Sequence, residues 1–321
     1  MGPAIPVIDF APFHGGSNED RQRLKNEIHH ACKDLGFFQL CNHTIPPELQ
    51  TAILEQSRDF FRLPVETKVK YDRDNDSFNR GYERFRAQNF EKRTAGDLKE
   101  SFFLAGKFGL GPNKYPVEVT DPQLFRDTVD RYYGAVPSLT IDLMTVIAEM
   151  VGLGSDALRR FCAKPIATLR LLHYPPQAPD ASELERGIGA HSDFGAITIL
   201  LQDYVGGLQV WSRTSNEWVD VVPVPGAVVV NTGNMMMRWT NDRYMSNLHR
   251  VINTSGTARY SVPFFFDGNA DFLVECLESC LEPSEQPKYG PITVNDWMVG
   301  RYADTFGGGE VKSEKDLVSL E

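Results

Sequence analysis

The chain has 321 residues, 41% of them hydrophobic and 24% charged, and a formal net charge of −10. That profile fits a globular protein of one large or two modest domains, and the acidity disfavours nucleic acid or an anionic membrane as partner, because both call for a basic surface. The apolar runs are too short to span a bilayer and no charged-then-apolar leader opens the chain, so a cytoplasmic location is expected. Five cysteines stand at 32, 41, 162, 276 and 280. An odd count without paired spacing argues against a disulfide framework, and Cys276 and Cys280 lack a second Cys or His pair that would complete a zinc site.

In chain order, residues 5–10 read as a short strand. Ser17 is placed to cap a helix to about Leu35, with Leu24, Ile28, Ala31 and Cys32 at helical spacing and Gly36 as its stop. Residues 37–41 read as a strand. A second helix follows Pro46-Pro47 and closes at Pro64, and a third zone runs over 122–151, where Pro137 is expected to bend or split it. Between these helices, residues 72–99 carry Arg80, Arg84, Arg86, Lys92 and Arg93 among Phe78, Tyr82, Phe85 and Phe90. Two readings stand for this stretch: a solvated loop, or a flap over a pocket.

From Ile166 the texture changes. Strands are expected at 166–174, 189–193, 197–201, 208–211, 218–221, 227–231, 248–252 and 260–266, separated by Gly, Pro and Asn-Asp turns. Eight closely spaced strands suit a jelly roll. The expected fold is therefore α+β, a jelly-roll core flanked by N-terminal helices. Residues 1–150 form a mixed α/β region that packs on the core and supplies the flap, 151–306 the core with a C-terminal helix, and 307–321 a tail.

The chemistry concentrates in the core. His191-Ser-Asp193 places an imidazole and a carboxylate two residues apart, on one face if the stretch is a strand. His249 opens a later strand. Two histidines and one carboxylate with open positions make the facial triad of non-haem Fe(II) oxygenases. Arg259-Tyr-Ser261 follows, with Arg259 and Ser261 on one strand face. A guanidinium inside a barrel is costly unless it meets an anion, and its fork matches a carboxylate. A chelating organic acid held by Arg259 and Ser261 is consistent with that pattern; a structural ion pair is the other reading. Strand parity puts Phe265 on the face of Arg259, and Arg170 on the face of Leu172 and Tyr174. Arg170 is a candidate partner for a substrate acceptor group or for a protein acid. Phe85 and Phe102 are candidate pocket residues from the flap region, with core packing as the alternative for every aromatic.

These motifs resemble the isopenicillin N synthase-like branch of the Fe(II)/2-oxoglutarate-dependent dioxygenases. The likeness runs through Leu35-Gly-Phe-Phe-Gln-Leu-Cys-Asn-His43, Leu172-His-Tyr-Pro175, His191-Ser-Asp-Phe-Gly195, Pro225-Gly-Ala-Val-Val-Val-Asn-Thr-Gly233, His249-Arg-Val251 and Arg259-Tyr-Ser261. It is strongest with fungal members, which include thymine 7-hydroxylase and secondary-metabolite oxygenases. The resemblance implies a double-stranded β-helix, Fe(II) held by His191, Asp193 and His249, and 2-oxoglutarate held by Arg259, Ser261 and Tyr174. With O₂ the products would be succinate, CO₂ and an oxidised small molecule, hydroxylation being the expected outcome and desaturation or cyclisation the others. Asn234 to Met237 and Met245 depart from the family pattern and are expected to touch the pocket wall. An Fe(II)/O₂ oxidase that does not use 2-oxoglutarate, and a silent ligand-binding module on the same fold, are the competing readings.

Overall fold

The computed structural model describes residues 4–76, 78–90, 96–105, 111–177 and 186–306. Lys92, Arg93 and the 307–321 tail lie outside the described residues. The chain begins with β1 (Val7–Asp9) and a single helical turn, α1 (Ala11–Gly15). Ser17 then starts α2 (Asn18–Asp34) with a capping box: its hydroxyl accepts the Asp20 N–H, and the Asp20 carboxylate accepts the Ser17 N–H. Gly36, at φ +70°, turns the chain into β2 (Phe37–Cys41). A Cβ there would sit 2.2 Å from the Met245 carbonyl oxygen, so only glycine fits.

Helix α3 (Pro47–Phe61) and the short α4 (Val65–Lys68) follow, then β3 (Gly81–Glu83) and β4 (Glu100–Ala105). Helix α5 (Pro122–Met150) runs unbroken through Pro137. The proline removes one backbone donor, but buried Val136 and Leu139 on either side keep both halves pressed on the core, so the helix is not split. After α6 (Arg159–Cys162) comes β5 (Pro165–Tyr174). Then follow β6 (Ile188–His191), β7 (Ile197–Gln202), β8 (Leu208–Ser212), β9 (Glu217–Asp220) and β10 (Val228–Thr232). Residues 234–239, given no element by the sequence reading, form α7 (Asn234–Trp239). The chain then runs through β11 (His249–Val251), β12 (Arg259–Asn269), the hairpin β13 (Leu273–Val274) with β14 (Ile292–Thr293), and α8 (Val294–Phe306).

The strands form an eight-stranded sheet in the order β1-β2-β10-β7-β12-β5-β4-β3 and a four-stranded sheet, β6-β11-β8-β9. Apart from the parallel β1–β2 pair, the pairings are antiparallel. The fold is α+β with a jelly-roll core. The large sheet crosses the expected boundary at residue 150, because β1–β2 and β3–β4 extend it at its two ends.

Side-chain alternation sorts the large sheet into two faces. Leu169, Leu171, Val262, Phe264 and Phe266 join Ile28, Ile53, Phe125 and Leu139 of α2, α3 and α5 in one apolar layer. On the other face Leu172, Tyr174 and Val229 meet Ile188, Leu208, Val210 and Val251 of the small sheet. The space between the sheets is where the polar residues of the inner face converge. Among the described residues no helix is long and apolar enough to cross a membrane.

Candidate active site

His191 closes β6 and His249 opens β11, and the two are direct partners in that antiparallel pair. Their rings lie 4.2 Å apart. Asp193 reaches them differently from the strand-parity expectation. Strand β6 ends at His191, and Asp193 sits in the following turn. Its Oδ1 lies 3.8 Å from His191 Nε2 and 3.7 Å from His249 Nε2. Its other oxygen, Oδ2, accepts hydrogen bonds from Thr198 Oγ1 at 2.6 Å and Asn231 Nδ2 at 2.8 Å. These two donors fix the carboxylate so that Oδ1 points at the imidazoles.

Each imidazole is oriented through its remote nitrogen. Nδ1 of His191 lies 2.9 Å from the Gly189 carbonyl oxygen, and Nδ1 of His249 lies 3.3 Å from that of Asn247. Donating there leaves the Nε2 lone pairs turned to Asp193. Phe90 stacks on His191 at 4.5 Å and Phe37 packs on His249 at 5.1 Å. Burial and the neighbouring His249 push His191 down to about 3, so its imidazole is neutral at neutral pH. Burial alone would push Asp193 up; the imidazoles and the Thr198 and Asn231 hydrogen bonds prevail and hold it below the usual carboxylate range. One atom from each residue falls within 4.8 Å of the others, and this is the one such group of three or more candidate ligands among the described residues. Two nitrogens and one oxygen on one side of a point suit Fe(II) with open positions.

Arg259 is fully buried. Its Nε donates to the Gly206 carbonyl at 2.7 Å, Nη1 to Ser261 Oγ at 3.2 Å and Nη2 to Gln202 Oε1 at 3.1 Å. Tyr174 is its register partner on β5, with the guanidinium 4.8 Å above the ring. Among the described residues no carboxylate pairs with this cation, so a protein ion pair does not account for it. The buried Nε2 of Gln202 also has no hydrogen-bond partner. A buried positive charge beside an unused amide donor suits an incoming carboxylate. Sequence reasoning gave Gln202 no role.

Arg259 and the triad line one cavity of about 1020 Å³, large enough for a keto acid and a second small molecule. Along β12 its wall takes Arg259, Ser261, Pro263, Phe265 and Asp267, and along β5 Thr168, Arg170, Leu172 and Tyr174. Arg170 has a protein acid beside it: Glu83 stands 3.5 Å away. Its guanidinium also lies 3.9 Å over the Phe103 ring and 5.8 Å from that of Phe265. From residues 72–99 the wall takes Arg73, Phe78, Arg80 and Phe90.

Three expectations fail. Phe102 is absent from the cavity; it is fully buried on the opposite face of β4, 4.5 Å from Phe60, in the helix layer. Its neighbour Phe103 lines the cavity instead. Phe85 also lies off the cavity wall, half-exposed, with His173 as its ring neighbour at 6.2 Å. None of Asn234 to Met237 or Met245 lines the cavity: Met235 and Met236 are buried in the helix layer and Asn234 is bonded to Ser246, so this departure from the family pattern does not reach the pocket. Sequence reasoning missed Asn231 and Thr198 as partners of Asp193, and Asp267 on the cavity wall. Alternation along β12 from Arg259 carries the signal for Asp267.

Residues 5–122 match the family described as non-haem dioxygenase in morphine synthesis N-terminal, and residues 165–268 match the 2OG-Fe(II) oxygenase superfamily. The chain is 46% identical to the 2-oxoglutarate-Fe(II) type oxidoreductase hxnY of Emericella nidulans, over 97% of this chain and 93% of that one. It is 37% identical to the 2-oxoglutarate-dependent dioxygenase citB of Monascus ruber, over 94% and 95%. The crystal structure of full-length Neurospora crassa thymine 7-hydroxylase in complex with alpha-KG superposes with a TM-score of 0.87 at 30% identity, over 94% of this chain and 96% of that one. These relatives favour use of 2-oxoglutarate over an O₂-only oxidase or a silent module. The chain belongs to the 2-oxoglutarate–Fe(II) oxygenase superfamily, as a non-haem dioxygenase that oxidises a small-molecule substrate with Fe(II) and 2-oxoglutarate.

Proposed function

We propose that His191, Asp193 and His249 hold Fe(II), that Arg259, Ser261 and Tyr174 receive the distal carboxylate of 2-oxoglutarate, and that the protein hydroxylates a C–H bond of a small organic molecule. The observation that carries the reading is Arg259: a fully buried guanidinium with no carboxylate partner among the described residues, in the same cavity as the triad. Bound there with 2-oxoglutarate and O₂, Fe(II) supplies an oxidant able to attack an unactivated C–H bond, with release of succinate and CO₂.

The chain's own residues do the rest. Thr198 and Asn231 keep Asp193 ionised and aimed. Ser261 and Gln202 hold the Arg259 fork from one side while its remaining N–H groups and the Gln202 amide present donors to a carboxylate. Phe90 and Phe37 cover the imidazoles and exclude water. Arg170, braced by Glu83 and flanked by Phe103 and Phe265, faces the second molecule and orients it through an acceptor group. A cytoplasmic setting is supported by five free thiols, which suit a reducing compartment.

The test is succinate release under O₂ with Fe(II), with and without added 2-oxoglutarate. Release that depends on both is expected. Asp193→Ala should abolish it, and Arg259→Met should weaken 2-oxoglutarate binding by about 100-fold, as expected for losing a buried charge-assisted contact. Full turnover by Asp193→Ala, or unchanged 2-oxoglutarate affinity in Arg259→Met, would overturn the assignment.

A further inference from the structure

Asp267 is 2% exposed and lines the cavity, two positions past Phe265 on the same inner face of β12. Its carboxyl has no hydrogen-bond or ion-pair partner among the described residues. Burial, with Asp193 nearby, pushes it up to about 7. Asp193, the other buried acid on the cavity wall, is engaged by Thr198 and Asn231, and Glu83 behind the wall by Arg73, Lys99 and Ser101.

The niche around Asp267 is made for a carboxyl. Gly195 lies two residues after Asp193, and a Cβ on it would fall 2.1 Å from Asp267 Oδ1. Gly195 has no left-handed backbone that would call for glycine on conformational grounds, so the missing side chain leaves room for the acid. A buried acid without a partner destabilises the fold, and an apolar residue of similar size would fill the same space at no such penalty. A buried acid left unpartnered on a cavity wall points to a ligand. The surrounding wall narrows what that ligand is. Phe265 stands two positions away on the same wall, and Arg170, stacked 3.9 Å over Phe103, lies 5.8 Å from the Phe265 ring.

We propose that Asp267 is a specificity-determining residue that hydrogen-bonds an N–H or O–H group on the substrate, lodged between Phe265 and the turn that carries Asp193. This rests on the reading of the cavity as the site of a 2-oxoglutarate oxygenase and adds the chemical class of its second ligand: a molecule with a hydrogen-bond donor for Asp267 and an acceptor for Arg170. Asp267 binds and orients; it takes no part in the redox step.

Two measurements on the Fe(II)–2-oxoglutarate protein under anaerobic conditions test this. The first uses two matched probe pairs, 2-pyridone with N-methyl-2-pyridone and phenol with anisole, titrated by their effect on the visible iron–keto acid absorption. At least one donor probe is expected to bind tenfold or more tighter than its methylated partner, and Asp267→Leu should erase that preference. In Asp267→Leu the loss of donor-probe affinity should exceed any loss of 2-oxoglutarate affinity by at least tenfold. Asp267→Asn, which keeps an acceptor, should retain part of the preference. The second measurement is thermal unfolding, where Asp267→Leu should melt at or above the wild type. Equal binding within both pairs, no binding by any probe, an unchanged preference in Asp267→Leu, or a clear fall in its melting temperature would each overturn the inference. If the wild type itself fails to bind 2-oxoglutarate, the fault lies instead with the oxygenase reading of the site.

Discussion

Thr198 Oγ1 donates to Asp193 Oδ2 at 2.6 Å, so a residue of the large sheet aims the acid of a site whose two histidines belong to the small sheet. Thr198 is itself held in register opposite Phe265 on β12. The two sheets therefore meet at this hydrogen bond, and the shape of the metal site depends on it. Thr198→Val keeps the volume and removes the donor. It should weaken Fe(II) binding by about 10–100-fold, the usual cost of losing a partner of a metal ligand. Anaerobic titration with Fe(II), or with Co(II) read by its absorption, checks this. Unchanged affinity would mean that Asn231 alone orients Asp193.

Phe102 and Phe103 are adjacent and serve opposite faces of β4. Phe102→Ala removes a fully buried ring from the layer of Phe60 and Phe125, and should destabilise the protein by about 3–5 kcal/mol. Its effect on 2-oxoglutarate affinity, measured in the folded fraction, should be small. Phe103→Ala should do less to stability, because that ring borders open cavity, and more to substrate-dependent turnover. Urea unfolding of both variants beside succinate assays separates the two roles. Equal effects of both variants on stability and turnover would refute the division of faces.

That pair also marks how far the sequence could be read. The eight core strands, the capped helix after Ser17 and the His-x-Asp, His and Arg-x-Ser motifs were all legible, because period-two alternation, turn residues and ligand types are local signals. Which face β4 shows to the cavity is not local. It follows from pairing Phe103 with Arg170 and Phe102 with Leu171 across β4–β5, a register set by contacts some seventy residues apart. Asp193 illustrates the same limit. Its convergence with His191 was inferred from strand parity, yet the strand stops at His191 and the acid returns through a turn held by Thr198 and Asn231. Asp267 was legible in principle by counting alternate positions from Arg259, but its lack of a partner is visible only once the fold is in place.

Arg170 offers a test of the substrate end. It is braced by Glu83 and stacked on Phe103, so Arg170→Met preserves much of the packing and removes the charge-assisted donors. Substrate-dependent succinate release should fall through a raised KM, by roughly 10-fold or more for a lost charge-assisted hydrogen bond. Binding of 2-oxoglutarate, measured separately, should change far less. Equal losses for both ligands would contradict a substrate-side position for Arg170.

Glu83 governs the charge behind that wall. It is 4% exposed and bonded to Arg73 at 2.8 Å, Lys99 at 3.2 Å and Ser101 at 2.6 Å, with Arg170 at 3.5 Å. Burial alone would push its carboxyl up; Lys99, Arg170, Arg73 and the Ser101 hydroxyl prevail and bring it to about 2. A carboxyl depressed in the folded state stabilises the fold above its ordinary value, near 4.5, and that stabilisation is lost as pH falls from about 4.5 through about 2. The depression corresponds to about 3 kcal/mol at neutral pH. Glu83→Gln removes a counter-charge shared by three cations, so it should cost at least that much at pH 7. By pH 3 the wild type has surrendered more than half of the advantage, and the gap between the two proteins should shrink accordingly. Urea unfolding of both proteins at pH 7 and pH 3 decides the matter: a gap that stays constant between the two would mean that Glu83 acts by shape and hydrogen bonding rather than by charge.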